Sequence, residues 1–92
     1  MRIDFNAVKD QRNRVKHGLS LRLAAKLDWD AMLARLDDSE EYGEERWLGI
    51  APYAGRLYTV VFTVRDEEQA RVISLRRATN REIESYESQG RN

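Results

Sequence analysis

A chain of 92 residues with 41% apolar and 35% charged side chains reads as one domain, residues 1–92, with a thin core. It has no cysteine and one histidine, which excludes disulfides, thiolate sites and a multi-histidine metal site within one chain, and no metal or organic cofactor is expected. Sixteen basic residues balance sixteen acidic ones, no apolar run approaches the ~20 residues of a membrane helix, and Met1 to Phe5 show no signal-peptide core, so a cytoplasmic protein is expected.

Arg2 to Phe5 reads as a short strand, after which Asp4 or Asn6 can cap a helix. That helix is expected over 6–17, with Phe5, Val8 and Val15 on its apolar side and Lys9, Arg12 and Lys16 on another. Gly18 suits the left-handed position that ends a helix. Ser20 caps a second short helix whose apolar content is Leu21, Leu23, Ala24, Ala25 and Leu27. Neither helix is long enough to stand alone, so both must pack on another element. Residues 29–36 stay open between helix, favoured by the propensities of Ala31 to Ala34, and strand, which is preferred. Asp37 to Gly43 is an acidic loop.

The period then changes to two. Residues 45–53 form a strand with Trp47 and Tyr53 on one face and Leu48 and Ile50 on the other. Pro52 sits near its end, where a missing donor is tolerable. Ala54-Gly55 makes a two-residue turn. Residues 56–65 are almost continuously apolar and rich in β-branched and aromatic types, which suits a central strand covered on both faces. Asp66 to Gln69 is a polar hairpin loop. In the last strand, 70–77, strict alternation places Arg71, Ile73, Leu75 and Arg77 on one face and Val72, Ser74 and Arg76 on the other. Thr79-Asn80-Arg81-Glu82 has capping-box spacing, so a helix over 80–88 follows, with Ile83 and Tyr86 as its apolar side. Gly90 to Asn92 should fray. The order predicts an α+β layer fold: two N-terminal helices packed on a three- or four-stranded antiparallel sheet, with a short C-terminal helix.

The zero net charge hides segregation. Residues 1–27 carry seven basic and two acidic side chains, residues 28–45 one basic and eight acidic, and residues 70–81 four basic and none acidic. Such blocks either form distinct charged surfaces or neutralise one another in the fold. The arginines from Arg71 to Arg81, four in eleven residues, lie on a strand and at the start of a helix, where an anion is well served.

Phe5, Lys9, Asn13, Lys16-His17-Gly18 and Ser20, then Gly43-Glu44-Glu45-Arg46, Gly55-Arg56-Leu57, the run from Arg71 to Glu82, and Tyr86 together resemble the BrnT toxins over nearly the whole chain. The stretch 28–42 departs from the commoner family form, which often carries proline there. The resemblance implies a RelE-like fold and a ribonuclease that blocks translation and causes growth arrest in bacteria. It also implies a BrnA antitoxin, whose ribbon-helix-helix domain dimerises and represses the operon. The chain would form a hetero-oligomer with it and meet DNA only through it.

RNA cleavage without a metal uses the 2′-hydroxyl as nucleophile and needs a base, an acid and cations for the charged phosphorane. His17 is the only side chain whose unperturbed pKa, about 6.5, suits proton transfer. Its competing role is to interact with the carbonyls at a helix end. Arg76 and Arg77 are candidates for phosphate binding and transition-state charge, with Arg46 assisting; the competing role of each is an ordinary surface ion pair. Lys9, Lys16, Arg71, Thr79 and Arg81 are candidate RNA contacts, although Thr79 can use its oxygen on the helix cap instead. Glu44 and Glu45 are weaker candidates for a base. The rival function is a non-catalytic binding module that pairs with its partner and tunes operon repression, favoured by the neutral net charge.

Overall fold

The unbroken run of β-branched and aromatic residues from Tyr58 to Val64 lies in the longest strand, Arg56–Asp66, of a five-stranded sheet in the computed structural model, which describes residues 1–38, 41 and 43–89. In chain order the elements are β1 (Arg2–Phe5), α1 (Ala7–His17), two 3-10 helices (Leu21–Lys26 and Trp29–Ala31), β2 (Leu33–Asp37), β3 (Arg46–Tyr53), β4 (Arg56–Asp66), β5 (Gln69–Arg77) and α2 (Asn80–Gln89). The strand order is β1-β5-β4-β3-β2. Strands β2 to β5 run antiparallel as a meander, and β1 adds to β5 in parallel. The segment left open at 29–36 resolves into a single 3-10 turn and then a strand. Gly90 to Asn92, expected to fray, and part of the acidic loop lie outside the described residues.

This corrects the expected RelE-like layout of two N-terminal helices on a three- or four-stranded antiparallel sheet. The sheet has five strands and is mixed, because β1 pairs Arg2 with Gln69 through Phe5 with Val72 in parallel register. There is one α-helix near the N-terminus. The second is a 3-10 helix, tightened by bonds from the Leu23 N–H to the Ser20 carbonyl (3.1 Å) and from the Leu27 N–H to the Ala24 carbonyl (3.3 Å). The physical reason is spacing. Three residues per turn put Leu21, Ala24 and Leu27 on one face, and they are 0%, 0% and 5% exposed. They pack on Tyr58, Val60, Phe62, Ala70, Val72 and Leu75 to form the core. Each buried Leu or Val contributes roughly 1.5–3 kcal/mol. The Trp29 indole N–H donates to the Ala24 carbonyl at 2.8 Å, and its ring meets Phe62 edge-on at 5.0 Å.

Helix α1 is also inverted relative to its periodicity. Val8 and Val15, expected on its inner side, are 57% and 84% exposed. Its inward stripe is polar: Asp10 and Asn13 are each 5% exposed, and His17 is half-buried one turn further on. The cause lies at the edge of β5. Strand β1 covers that edge only as far as Val72, leaving the backbone of Leu75 without a strand partner on that side. The Asn13 side-chain amide takes the place of the missing strand. Its Nδ2 donates to the Leu75 carbonyl at 2.8 Å, and its Oδ1 accepts from the Leu75 N–H at 3.0 Å. The same Nδ2 donates to the Leu19 carbonyl at 2.8 Å, closing the turn after Gly18.

Asp10 secures the next connection. Its Oδ1 accepts from the Ser20 hydroxyl (2.9 Å) and the Leu21 N–H (2.7 Å), and its Oδ2 from Arg14 Nη2 (2.8 Å). The Arg14 hydrogen bond first, and then the Leu21 N–H, hold its carboxyl below the ordinary 3.8, against the opposing effect of burial. A carboxylate with a lowered folded pKa contributes stability that is complete above its unfolded value and is lost as pH falls through the folded one. Thermal melts in acid should therefore show the wild type losing more stability below pH 3.8 than Asp10→Asn, which has no proton to gain there. Parallel pH profiles for the two proteins would remove Asp10 from the acid transition.

Candidate anion and proton-transfer site

Strand β5 does not alternate strictly. Its register on β4 runs Arg71 with Thr63 and Val72 with Phe62, then slips so that Ser74 meets Val61, Leu75 meets Val60, Arg76 meets Thr59 and Arg77 meets Tyr58. Ile73 is the extra residue of a β-bulge. The bulge returns Leu75 to the core face with Val72 and places Arg71 on the same face as Arg76, since Thr63 and Thr59 share that face. This corrects the strict alternation expected for residues 70–77: Arg71 shares a face with Arg76, not with Arg77. Arg76 and Arg77 do lie on opposite faces.

Arg76 is held by α2. Its Nη1 donates to Glu82 Oε1 at 2.7 Å and its Nη2 to Glu82 Oε2 at 3.0 Å, a two-pronged pair. Nη1 also donates to the Arg77 carbonyl at 3.2 Å. Glu82 closes the capping box as well: its Oε1 accepts from the Thr79 N–H (2.8 Å) while the Thr79 hydroxyl accepts from the Glu82 N–H (3.2 Å). The Arg76 hydrogen bonds, followed by the Thr79 N–H, lower the Glu82 carboxyl to about 2 despite partial desolvation. The Thr59 hydroxyl, across β4 from Arg76, assists in this without a well-formed hydrogen bond of its own, and the residue is 1% exposed.

His17 ends α1 within electrostatic reach of Arg76. Desolvation first, then the charges of Lys16 and Arg76, push its imidazole below 6.5. Its neutral form is therefore the one present at pH 7. A cation with a planar fork and a neutral imidazole within electrostatic reach of each other can bind an oxyanion and accept a proton.

The other expected site residues are dispersed. Arg77 is exposed at the end of β5, opposite Tyr58. Arg46 and Arg71 lie near Thr63, four residues along β4 from Thr59, or about 13 Å of strand. Arg71 reaches Asp4 at 3.9 Å, and Arg46 Nε reaches Glu44 at 3.4 Å. Lys9, Lys16 and Arg81 are exposed. Thr79 has its hydroxyl in the helix cap. Glu44 and Glu45 are exposed in the loop before β3. Glu82 was read from the sequence only as a capping residue. The signal that could have found it is its position three residues into the helix after an arginine-rich strand end, where one carboxylate can serve both the cap and an arginine.

A family model described as the ribonuclease toxin, BrnT, of type II toxin–antitoxin systems matches residues 5–82. The chain belongs to the BrnT family of ribonuclease toxins, and as a type II toxin it has an antitoxin partner. The crystal structure of the Brucella abortus ribonuclease toxin BrnT is similar at a TM-score of 0.60 and 29% identity, covering 87% of this chain and 99% of that one. No curated protein matches the sequence significantly. Among the described residues, no helix is long and apolar enough to cross a membrane.

Proposed function

We propose that this chain is a metal-independent endoribonuclease that cleaves RNA through the ribose 2′-hydroxyl, with Arg76 binding the scissile phosphate and His17 acting as the base. The single observation that carries this reading is the proximity of a fork-held arginine to a histidine kept neutral at pH 7. Neutral His17 takes the 2′-hydroxyl proton and the 2′-oxygen attacks phosphorus. The bond to the 5′-oxygen then breaks, leaving a 2′,3′-cyclic phosphate and a 5′-hydroxyl protonated from solvent or from the imidazolium. The Arg76 guanidinium stabilises charge on the phosphorane and, held in its charged form by the Glu82 hydrogen bonds, does not itself transfer the proton. Arg46 and Arg71, on the same face as Arg76, and Arg77, Lys9, Lys16, Thr79 and Arg81, dispersed over the surface, contribute further contacts along the RNA backbone.

In the cell this activity would act in the cytoplasm, inhibit translation and arrest growth until a BrnA-like ribbon-helix-helix antitoxin binds. The toxin would then sit in a hetero-oligomer that meets DNA through the antitoxin. A second reading, a non-catalytic module that tunes operon repression, is favoured by the exposed Val8 and Val15 on α1, which suit a protein partner better than RNA.

Purified chain incubated with RNA in the presence of EDTA separates the two readings. Cleavage to cyclic-phosphate ends, abolished in His17→Ala, is expected. Intact RNA with the wild type, together with normal growth when the chain is induced alone, would overturn the nuclease mechanism in favour of the second reading.

A further inference from the structure

The guanidinium of Arg76 has five N–H donors, and their use is uneven. Glu82 takes one from Nη1 and one from Nη2, and the Arg77 carbonyl takes the second from Nη1. Among the described residues Nε and the remaining Nη2 hydrogen have no partner. These two lie along one side of the guanidinium plane and form a second fork, suited to two oxygens of a phosphate. The Thr59 hydroxyl, on β4 opposite Arg76, is buried and helps to keep the Glu82 carboxyl ionised.

Glu82 is itself doubly fixed. The capping box ties it to Thr79 at the start of α2, and the hydroxyl of Tyr86, one turn on, donates to the Ala31 carbonyl at 2.7 Å. No α2 residue is fully buried, so these few polar contacts set where the helix sits on the sheet. The carboxylate is a rigid bracket for Arg76, not a mobile counter-ion.

We propose that Glu82 is a positioning residue for RNA cleavage: it grips the terminal edge of Arg76 so that the adjacent edge, formed by Nε and Nη2, is presented to the scissile phosphate beside His17. The inference rests on Arg76 being the phosphate ligand. Holding the fork in advance removes the ordering cost of a long side chain when the transition state forms, so its loss should appear in kcat more than in RNA affinity.

Glu82→Gln tests this cleanly, because glutamine also serves at the third position of a capping box but cannot accept both Arg76 prongs. Expected for Glu82→Gln is a loss of about 10- to 100-fold in kcat with RNA binding within about threefold of wild type. Its acidic pH–rate limb should also move down, since an uncompensated Arg76 charge acts on His17. In an Arg76→Ala background the same substitution should cost nothing further. Asn6→Ala, which removes the α1 N-cap far from the site, is the control for stability and should retain activity. Equal losses from Glu82→Gln with and without Arg76 would show a structural role and overturn the inference, as would wild-type kcat in Glu82→Gln. If Arg76→Ala itself keeps full activity, the assignment of Arg76 to phosphate falls first, and that outcome is distinguishable from a failure of Glu82 alone.

Discussion

Replacing Asn13 by alanine is expected to be the most damaging single change to the fold. The asparagine amide satisfies the N–H and carbonyl of Leu75, which is 0% exposed, and the carbonyl of Leu19. Alanine leaves these groups buried, at a cost of ~1–3 kcal/mol for each unsatisfied one. A total of about 3–5 kcal/mol is expected, against a whole-domain stability on the order of 5–15 kcal/mol. For a domain of this size that is a fall in Tm of at least about 12 °C. Thermal unfolding followed by circular dichroism measures it, and hydrogen exchange of the Leu75 amide locates it. A melt within two or three degrees of wild type (roughly half a kcal/mol) would mean that the edge of β5 finds other partners.

The second large effect concerns activity. Arg76→Ala should lower kcat/KM for RNA by about 10²–10³, the usual consequence of removing one preorganised donor from a charged transition state. Arg76→Lys should recover little, because an ammonium cannot offer a fork to both Glu82 and phosphate. The pH dependence supplies an independent signature. In the proposed mechanism His17 acts as a base in its neutral form, so the rate should rise with pH through its pKa, which lies below 6.5 because of desolvation, Lys16 and Arg76. Removing Arg76 eliminates one of these causes, and the acidic limb should shift upward toward 6.5. An unmoved limb in Arg76→Ala would break the link between the two residues.

Both predictions depend on polar groups whose importance arises from distant parts of the chain. The periodicity of α1 marked Val8 and Val15 as inward, and by side-chain type alone that is correct. Packing overrode it, because the buried backbone of Leu75, unpaired by a strand on that edge and sixty-two residues from Asn13, demanded an amide and not a methyl group. The bulge at Ile73 is similar. Nothing within residues 70–77 breaks the alternation, yet pairing with β4 on one side and β1 on the other forces one residue out of register. That slip brings Arg71 onto the face of Arg76.

What the sequence determined by itself was local and additive. The period-two runs yielded β3 and β5, the almost continuous apolar run yielded β4, and the turn chemistry yielded the Ala54-Gly55 hairpin, where both residues take positive φ (51° and 77°). The caps at Asn6, Gly18, Ser20 and Thr79 marked the ends of α1, the 3-10 segment and α2. The motifs from Phe5 to Tyr86 pointed to the family. Tertiary structure alone decided the parallel addition of β1, the 3-10 winding at Leu21–Lys26 and the inward polar stripe of α1. It also decided which of the clustered arginines acts electrostatically on His17 and the second use of Glu82 as the hydrogen-bond partner of Arg76. The division has one cause: caps, turns and alternation depend on neighbours within a few residues, whereas these features satisfy backbone groups and charges that only meet once the sheet has formed.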